Sequence, residues 1–317
     1  MEKKIRTLVA MLVAMAVCSS CHRHPYHDIE EFKGGTLTIL FDWDGYIDIP
    51  PGMNLVFYPI CDGHSKSYDY SGPPIRHQLQ YDGGKVSLPL GRYNVMIYND
   101  YTYNILYRGM EDYFTGEAYL EEYDRQPLAS RASAGQNVAE PDIFYVTRIE
   151  GLQISPNDGE RTITVRPELK TLKLYVHAKV KGLQYISKAD CGINSAAGSI
   201  LLSSGEATGN ECNRLFPVSI SNEGLYASTN MFLHNEPLLR KYELELAFLL
   251  KNNTVAMGKF RFDVTDQIVE RLKENDGYIP PEGIHVYIEI EVDEVSTSGG
   301  FDAVIDGWGD EINIDLE

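Results

Sequence analysis

Hydrophobic positions along this chain recur mostly at every second residue, the period of strands with one buried face. Residues 36–43, apolar and Thr-rich, and 53–60, apolar, are separated by Pro50-Pro51-Gly52, and each predicts a strand. Ile75, His77, Leu79 and Tyr81 alternate with Arg76, Gln78 and Gln80, and Asp82-Gly83-Gly84 then turns the chain into residues 85–90, predicting a hairpin. Residues 101–108 predict a further strand. Between Gly116 and Glu140 the period dissolves into Glu, Ala, Ser, Arg and Gly, so that stretch predicts an irregular excursion before residues 141–148 close the first half.

The second half repeats the habit. Residues 161–165 and 171–180 predict strands, the latter with Leu172, Leu174, Val176, Ala178 and Val180 on one face against Lys173, His177 and Lys179 on the other. The small residues of 192–209 predict loops around a short strand at 199–202. Residues 242–250 and 254–263 predict a hairpin across Lys251-Asn-Asn253. One helix is expected, at 266–274, capped by Thr265, with Ile268, Val269 and Leu272 inward and Asn275-Asp-Gly277 ending it. Residues 283–292 and 301–316 would finish the sheet.

The start of the chain breaks the alternation. Lys3, Lys4 and Arg6 precede an unbroken apolar run at residues 8–17, too short to span a bilayer and suited to a secretory signal. It ends in Cys18-Ser-Ser-Cys21, and small residues before a cysteine suit a lipoprotein signal peptidase. Residues 1–20 therefore read as a lipoprotein signal peptide and Cys21 as the lipidated first residue of the mature chain, an attachment that several acyl chains make near-permanent. Residues 21–35 are polar and aperiodic, and read as a tether. The three histidines there have no second ligand cluster at zinc-like spacing.

Composition narrows the partners. The formal net charge of −18 becomes more acidic once the signal peptide is gone, which argues against nucleic acid because phosphate binding needs clustered Lys and Arg. With 21 tyrosines, 27 glycines and 15 prolines, the chain favours strands joined by many turns, and its length suits two domains, 36–148 and 149–317. Cys61, Cys191 and Cys212 remain after Cys21; Cys191 and Cys212 are near enough in sequence to bridge, with buried free thiols as the alternative.

Catalytic signatures are missing from the mature sequence: no Gly-x-Ser-x-Gly, His-Glu-x-x-His, phosphate loop or Cys-x-x-Cys, and no cofactor or metal is expected. Asp42, Asp44 and Asp48, and likewise Asp302, Asp306 and Asp310, lack EF-hand spacing and read as turn carboxylates. A Cys61–His64 nucleophile would need a base and orienting group that the sequence does not supply. Tyr98, Tyr101 and Tyr103, with Tyr68, Tyr70 and Tyr107 nearby, form the candidate sugar-stacking set, against sheet packing as the alternative.

Several short motifs recur in one order: Cys21-His-Arg, Asp42-Trp43, Leu88-Pro-Leu-Gly-Arg-Tyr93, Pro141-Asp-Ile-Phe-Tyr145, Phe262-Asp-Val-Thr-Asp-Gln-Ile268 and Gly299-Gly-Phe-Asp-Ala-Val-Ile-Asp-Gly-Trp308. On these the chain resembles the fimbrillin-like lipoproteins of Bacteroidales-type bacteria, in an uncharacterised two-domain group related to fimbrial anchor and accessory subunits. The resemblance implies an all-β fold of two tandem transthyretin-like β-sandwich domains, with the short helix in the second. It also implies a non-enzymatic surface lipoprotein of the outer membrane, a fimbria-associated structural or adhesive subunit whose partners are other fimbrial subunits, joined by strand exchange, and a host or bacterial surface ligand. Polymerising relatives are cut after an arginine; Arg125, Arg131 and Arg148 are the candidates here. The alternative is a glycan- or protein-binding lipoprotein that stays outside any polymer.

Overall fold

The computed structural model describes residues 34–62, 69–123, 136–155, 160–251 and 255–292. The lipidation candidate Cys21, the tether up to residue 33, and the strand expected at 301–316 lie outside them.

The described residues are mostly strands. The first half runs β1 (Gly34–Phe41), β2 (Gly52–Pro59), β3 (Ile75–Gln80), β4 (Gly83–Pro89), β5 (Gly91–Asn99), β6 (Ile105–Arg108), β7 (Glu117–Leu120), β8 (Glu122–Tyr123), β9 (Gln136–Val138) and β10 (Tyr145–Ile154). There follow β11 (Arg161–Val165), β12 (Glu168–Leu169), β13 (Thr171–Lys181), β14 (Ile186–Leu201), β15 (Glu206–Pro217), β16 (Ser219–Ile220), β17 (Leu225–Leu233), β18 (Glu243–Leu250), β19 (Val255–Asp263), helix α1 (Thr265–Glu274) and β20 (Ile284–Glu291).

Two sheets result. The first has eight strands in the order β11-β1-β4-β3-β2-β5-β10-β12, and the second gathers the remaining twelve around β20-β13-β17-β14-β15-β9-β8. β10 runs through residue 148 without a break, and β11 returns to pair in parallel with β1. The first sheet rolls about its own core: Leu37 and Ile39 of β1 share a buried cluster with Leu55, Phe57, Val95 and Ile154 of strands far along the sheet. The closeness of that roll explains Gly35, where a Cβ would stand 2.7 Å from Ile154 Cγ2.

The opposite face of the same sheet carries Val56, Tyr58, Met96 and Tyr98, and these belong to the larger core of the second sheet. One sheet therefore packs on both faces, which is why β2 and β5 read as nearly continuous apolar runs rather than as alternation. Within β5 the Pro-x-Gly motif behaves as its chemistry demands. Gly91 takes φ +151°, and the Tyr93 hydroxyl donates back to Pro89 O at 2.9 Å.

The structure corrects three expectations. The segment 192–209, expected as loops, lies mostly inside the sixteen-residue strand β14, which pairs with β15, β17, β18 and β7. Its small residues are needed because neighbours press on it: a Cβ at Gly198 would stand 3.2 Å from Cys212 Sγ. In the excursion expected after Gly116, β7 and β9 are ordered strands, and Ala118 and Val138 are core residues. Finally, Thr265 does not cap α1. Its hydroxyl donates to Asp263 Oδ1 at 2.5 Å and accepts from Tyr242 N at 2.9 Å, while Asp263 Oδ1 takes the Thr265 N–H at 3.1 Å. The end of α1 follows the sequence more closely: Asp276 is left-handed, and Gly277 N bonds Leu272 O at 2.7 Å while Asp276 N bonds Lys273 O.

Cys191 and Cys212 are buried free thiols on neighbouring strands, opposite Phe216 and Ala196 respectively, and Cys61 is an exposed one. Burial pushes both buried thiols up from the ordinary cysteine range. Thiolate-dependent reagents should therefore label Cys61 rapidly in the folded chain and reach Cys191 and Cys212 only in denaturant; mass mapping of labelled peptides checks this.

Candidate functional site: an inter-sheet cleft

The two sheets meet at residues 141–145, and hydrogen bonds from three directions fix that stretch. Asp142 accepts the backbone N–H groups of Tyr103 and Asn104 at 2.7 and 2.8 Å. Asn99 donates to Ile143 O at 2.7 Å and accepts from Tyr145 N at 2.8 Å, filling a backbone gap at the end of β5. The Thr171 hydroxyl donates to Asp142 O and accepts from Phe144 N, both at 3.0 Å.

Beside this seam opens a cleft of about 1170 Å³. One wall is the loop after β1, with Tyr46, and the segment 166–170; the other is the β14–β15 turn, residues 233–237 with Arg240, and the stretch after α1 that includes Tyr278. Its cations are already held. Arg166 lies 5.4 Å from the Tyr46 ring centroid and donates to Asp44 O at 2.7 Å; Lys170 meets Glu168 at 2.7 Å; Arg240 meets Glu211 at 2.6 Å. The Asn235 amide clamps Ala207 N and O at 2.7 and 2.8 Å, which fixes the turn against the wall.

Alternating charges, two tyrosine rings and many directional donors suit a polar ligand such as a polypeptide or saccharide. Among the described residues the lining contains no Ser, Thr or Cys that could serve as a nucleophile. β12 lines the cleft and ends the first sheet, with β10 its one ladder partner among the described residues. The edge of β20 is treated differently: Gln267 of α1 donates to Tyr287 O at 3.0 Å and accepts from Tyr287 N at 2.8 Å, blunting the strand with a side-chain amide.

The residues singled out from sequence do not converge here. Tyr98 is buried at 8% exposure, its ring 4.9 Å from Tyr107, so it offers no surface for a sugar; Tyr101 and Tyr103 stand out at 74% and 87%. Tyr70 packs on Tyr93, and Tyr68 and His64 lie outside the described residues. Arg148 sits within β10 opposite Met96 and donates to Ser204 O at 2.9 Å, so a protease would have to draw a paired strand out of the sheet to reach it. Arg125 and Arg131, and Asp302, Asp306 and Asp310, lie outside the described residues. Asp42 accepts the Asp44 N–H and faces Arg166 at 3.6 Å.

The cleft itself escaped sequence reading because its two walls are thirty or more residues apart in the chain, and no spacing rule joins Tyr46 to Tyr278. Among the described residues no helix is long and apolar enough to cross a membrane.

A β-rich chain of two sheets with a polar cleft at their seam is the architecture of a binding or assembly protein. The chain belongs to the family described as a domain of unknown function, DUF5119, whose pattern matches residues 20–217. It is 25% identical over 338 residues to a Bacteroides ovatus protein provisionally named fimbrium anchoring subunit Fim4B, covering 97% of both chains. It shares its fold with a crystal structure from Bacteroides ovatus provisionally named an adhesin, at TM-score 0.63 and 24% identity over 85% of this chain and 96% of that one. The fimbrial anchor protein Mfa2 of Porphyromonas gingivalis matches at TM-score 0.50 and 9% identity, over 83% of this chain and 92% of its own.

Proposed function

We propose that this chain is a cell-surface lipoprotein that serves as a fimbria-associated subunit, of the anchor or accessory kind, with a structural rather than catalytic task. The observation that carries the reading is the end-to-end match to the relative named as a fimbrium anchoring subunit. Cys21 holds the acyl chains, residues 22–33 tether the first strand to the outer membrane, and the two sheets are read as tandem transthyretin-like units. Its partners are neighbouring fimbrial subunits. An added strand supplies main-chain hydrogen bonds to an open sheet edge, which is a known basis for such joining. The cleft gives a specific reason to keep a second reading, capture of a surface polypeptide or glycan by a subunit that does not polymerise.

Membrane fractionation with gels run before and after boiling tests this. The native chain should pellet with the outer membrane and contribute to a heat-sensitive ladder, whereas Cys21→Ala should release the chain from the pellet while its folded mass persists. A single band at one mass with and without boiling overturns the fimbrial reading, and a Cys21→Ala chain that still pellets overturns the lipid anchor.

A further inference from the structure

The outward face of the second sheet carries a histidine pair that the function above does not use. β13 and β20 run parallel, with Tyr175 opposite His285 and His177 opposite Tyr287. On the diagonal, His177 Nε2 lies 2.9 Å from His285 Nδ1. Their ring centroids are 5.2 Å apart and the planes differ by 19°. A separation that large at that nitrogen contact means the two imidazoles meet edge to edge, nitrogen facing nitrogen, instead of face to face.

The tyrosines close the arrangement. Tyr175 stacks on His285 at 4.5 Å and 15°, and Tyr287 stacks on His177 at 4.8 Å and 16°. Gln267 grips both backbone groups of Tyr287, so the strand that bears His285 is held from its outer side. His285 is exposed and His177 half-buried, which leaves the pair within reach of solvent.

Two opposed imidazole nitrogens this close share one proton: one donates, and the other accepts with its lone pair. Burial lowers the pKa of both rings; for His177 the neighbouring His285 adds to it, and for His285 Arg271 does so against an opposing effect of Glu282. At neutral pH the pair is therefore uncharged, the state in which imidazole binds metals.

We propose that His177 and His285 form a two-histidine site for an imidazole-preferring divalent cation, of the zinc, copper or nickel class. Imidazole selects these ions, whereas calcium and magnesium ask for oxygen. At a metal–nitrogen distance of about 2.0–2.1 Å, tetrahedral ligands stand ~3.3 Å apart, so the pair must open by about 0.4 Å and each ring must turn by roughly 35° to aim its facing lone pair at a shared ion. Both facing nitrogens become ligands once the shared proton moves, through water, to the donor ring's far nitrogen; no proton is lost from the neutral pair. Among the described residues no third His, Cys, Asp or Glu converges, so water fills the remaining positions. The site needs neither the cleft nor the lipid anchor.

Calorimetric titration of the full mature chain with zinc chloride tests the site, using a background in which His22, His24 and His27 are Asn so that the tether cannot chelate. One equivalent should bind, magnesium should not compete, and His177→Asn should weaken binding at least ~10-fold, with His285→Gln as the independent second variant. Copper electron paramagnetic resonance should report two nitrogen ligands in the parent and fewer in either variant, while the metal-free melting temperature identifies any variant that fails to fold. Absence of zinc binding by the parent, or a full equivalent retained when both histidines are replaced, overturns the proposal.

Discussion

Phe144→Ala should cost about 3–5 kcal/mol, the range for deleting a fully buried phenylalanine. The ring is wholly buried, 5.8 Å from Phe232, in the core shared by the two sheets. Its neighbour Tyr145 points the other way, into the core inside the rolled first sheet, where it meets Trp43 at 5.1 Å. Adjacent residues at the entry to β10 thus fill both cores, and the cavity left by Phe144→Ala falls where relaxation is hardest. The backbone on either side is pinned by Asn99, Asp142 and Thr171, so it cannot collapse inward. Urea unfolding followed by far-ultraviolet circular dichroism checks the size of the loss. Tryptophan emission, measured in a Trp308→Phe background so that Trp43 alone reports from the first core, should fall in the same transition as the dichroism. Trp43 emission that holds to the parent midpoint while the dichroism shifts would mean that the cores unfold separately and that Phe144 does not couple them.

That seam was partly legible in the chain. Pro141-Asp-Ile-Phe-Tyr145 stood out as a motif, but its partners Asn99 and Thr171 lie 44 and 27 residues from the groups they bond, beyond any local rule. Local chemistry travelled well where the cause was local. The turn at Gly91, the helix stop at residues 275–277 and the alternation of β13 each follow from a few neighbouring residues. The sequence reading failed where tertiary crowding decided the outcome. Ala196, Ala197 and Gly198 look like loop residues, yet they are small because β7, β15 and β17 crowd around β14. The histidine pair shows the same limit: His177 was legible as outward-facing, but only the parallel register of β20 brings His285 to it. Tyr98 drops out of the stacking set for the converse reason, since it is on the face that the second sheet covers.

Gly83→Ala and Gly151→Ala should separate two costs that sequence alone confounds. Gly151 sits at φ +64° with open space around the position of a Cβ, so alanine there meets only the left-handed penalty, about 1–2 kcal/mol. Gly83 has φ +103°, and its Cβ would overlap the carbonyl oxygen of Ile39 and stand 2.9 Å from Ile39 C and Leu40 Cα. Those are backbone atoms of β1, paired with β4 on one side and β11 on the other, so nothing there yields cheaply. The cost at Gly83 should therefore be at least ~3 kcal/mol, among the larger single-residue effects. It should fall on the β1–β4 pairing, which closes the roll of the first sheet. Urea midpoints of the two variants, compared at constant slope, measure the difference. Equal midpoints would mean that the approach of β1 to the β3–β4 turn is not close in solution, and that backbone conformation alone selects glycine at both positions.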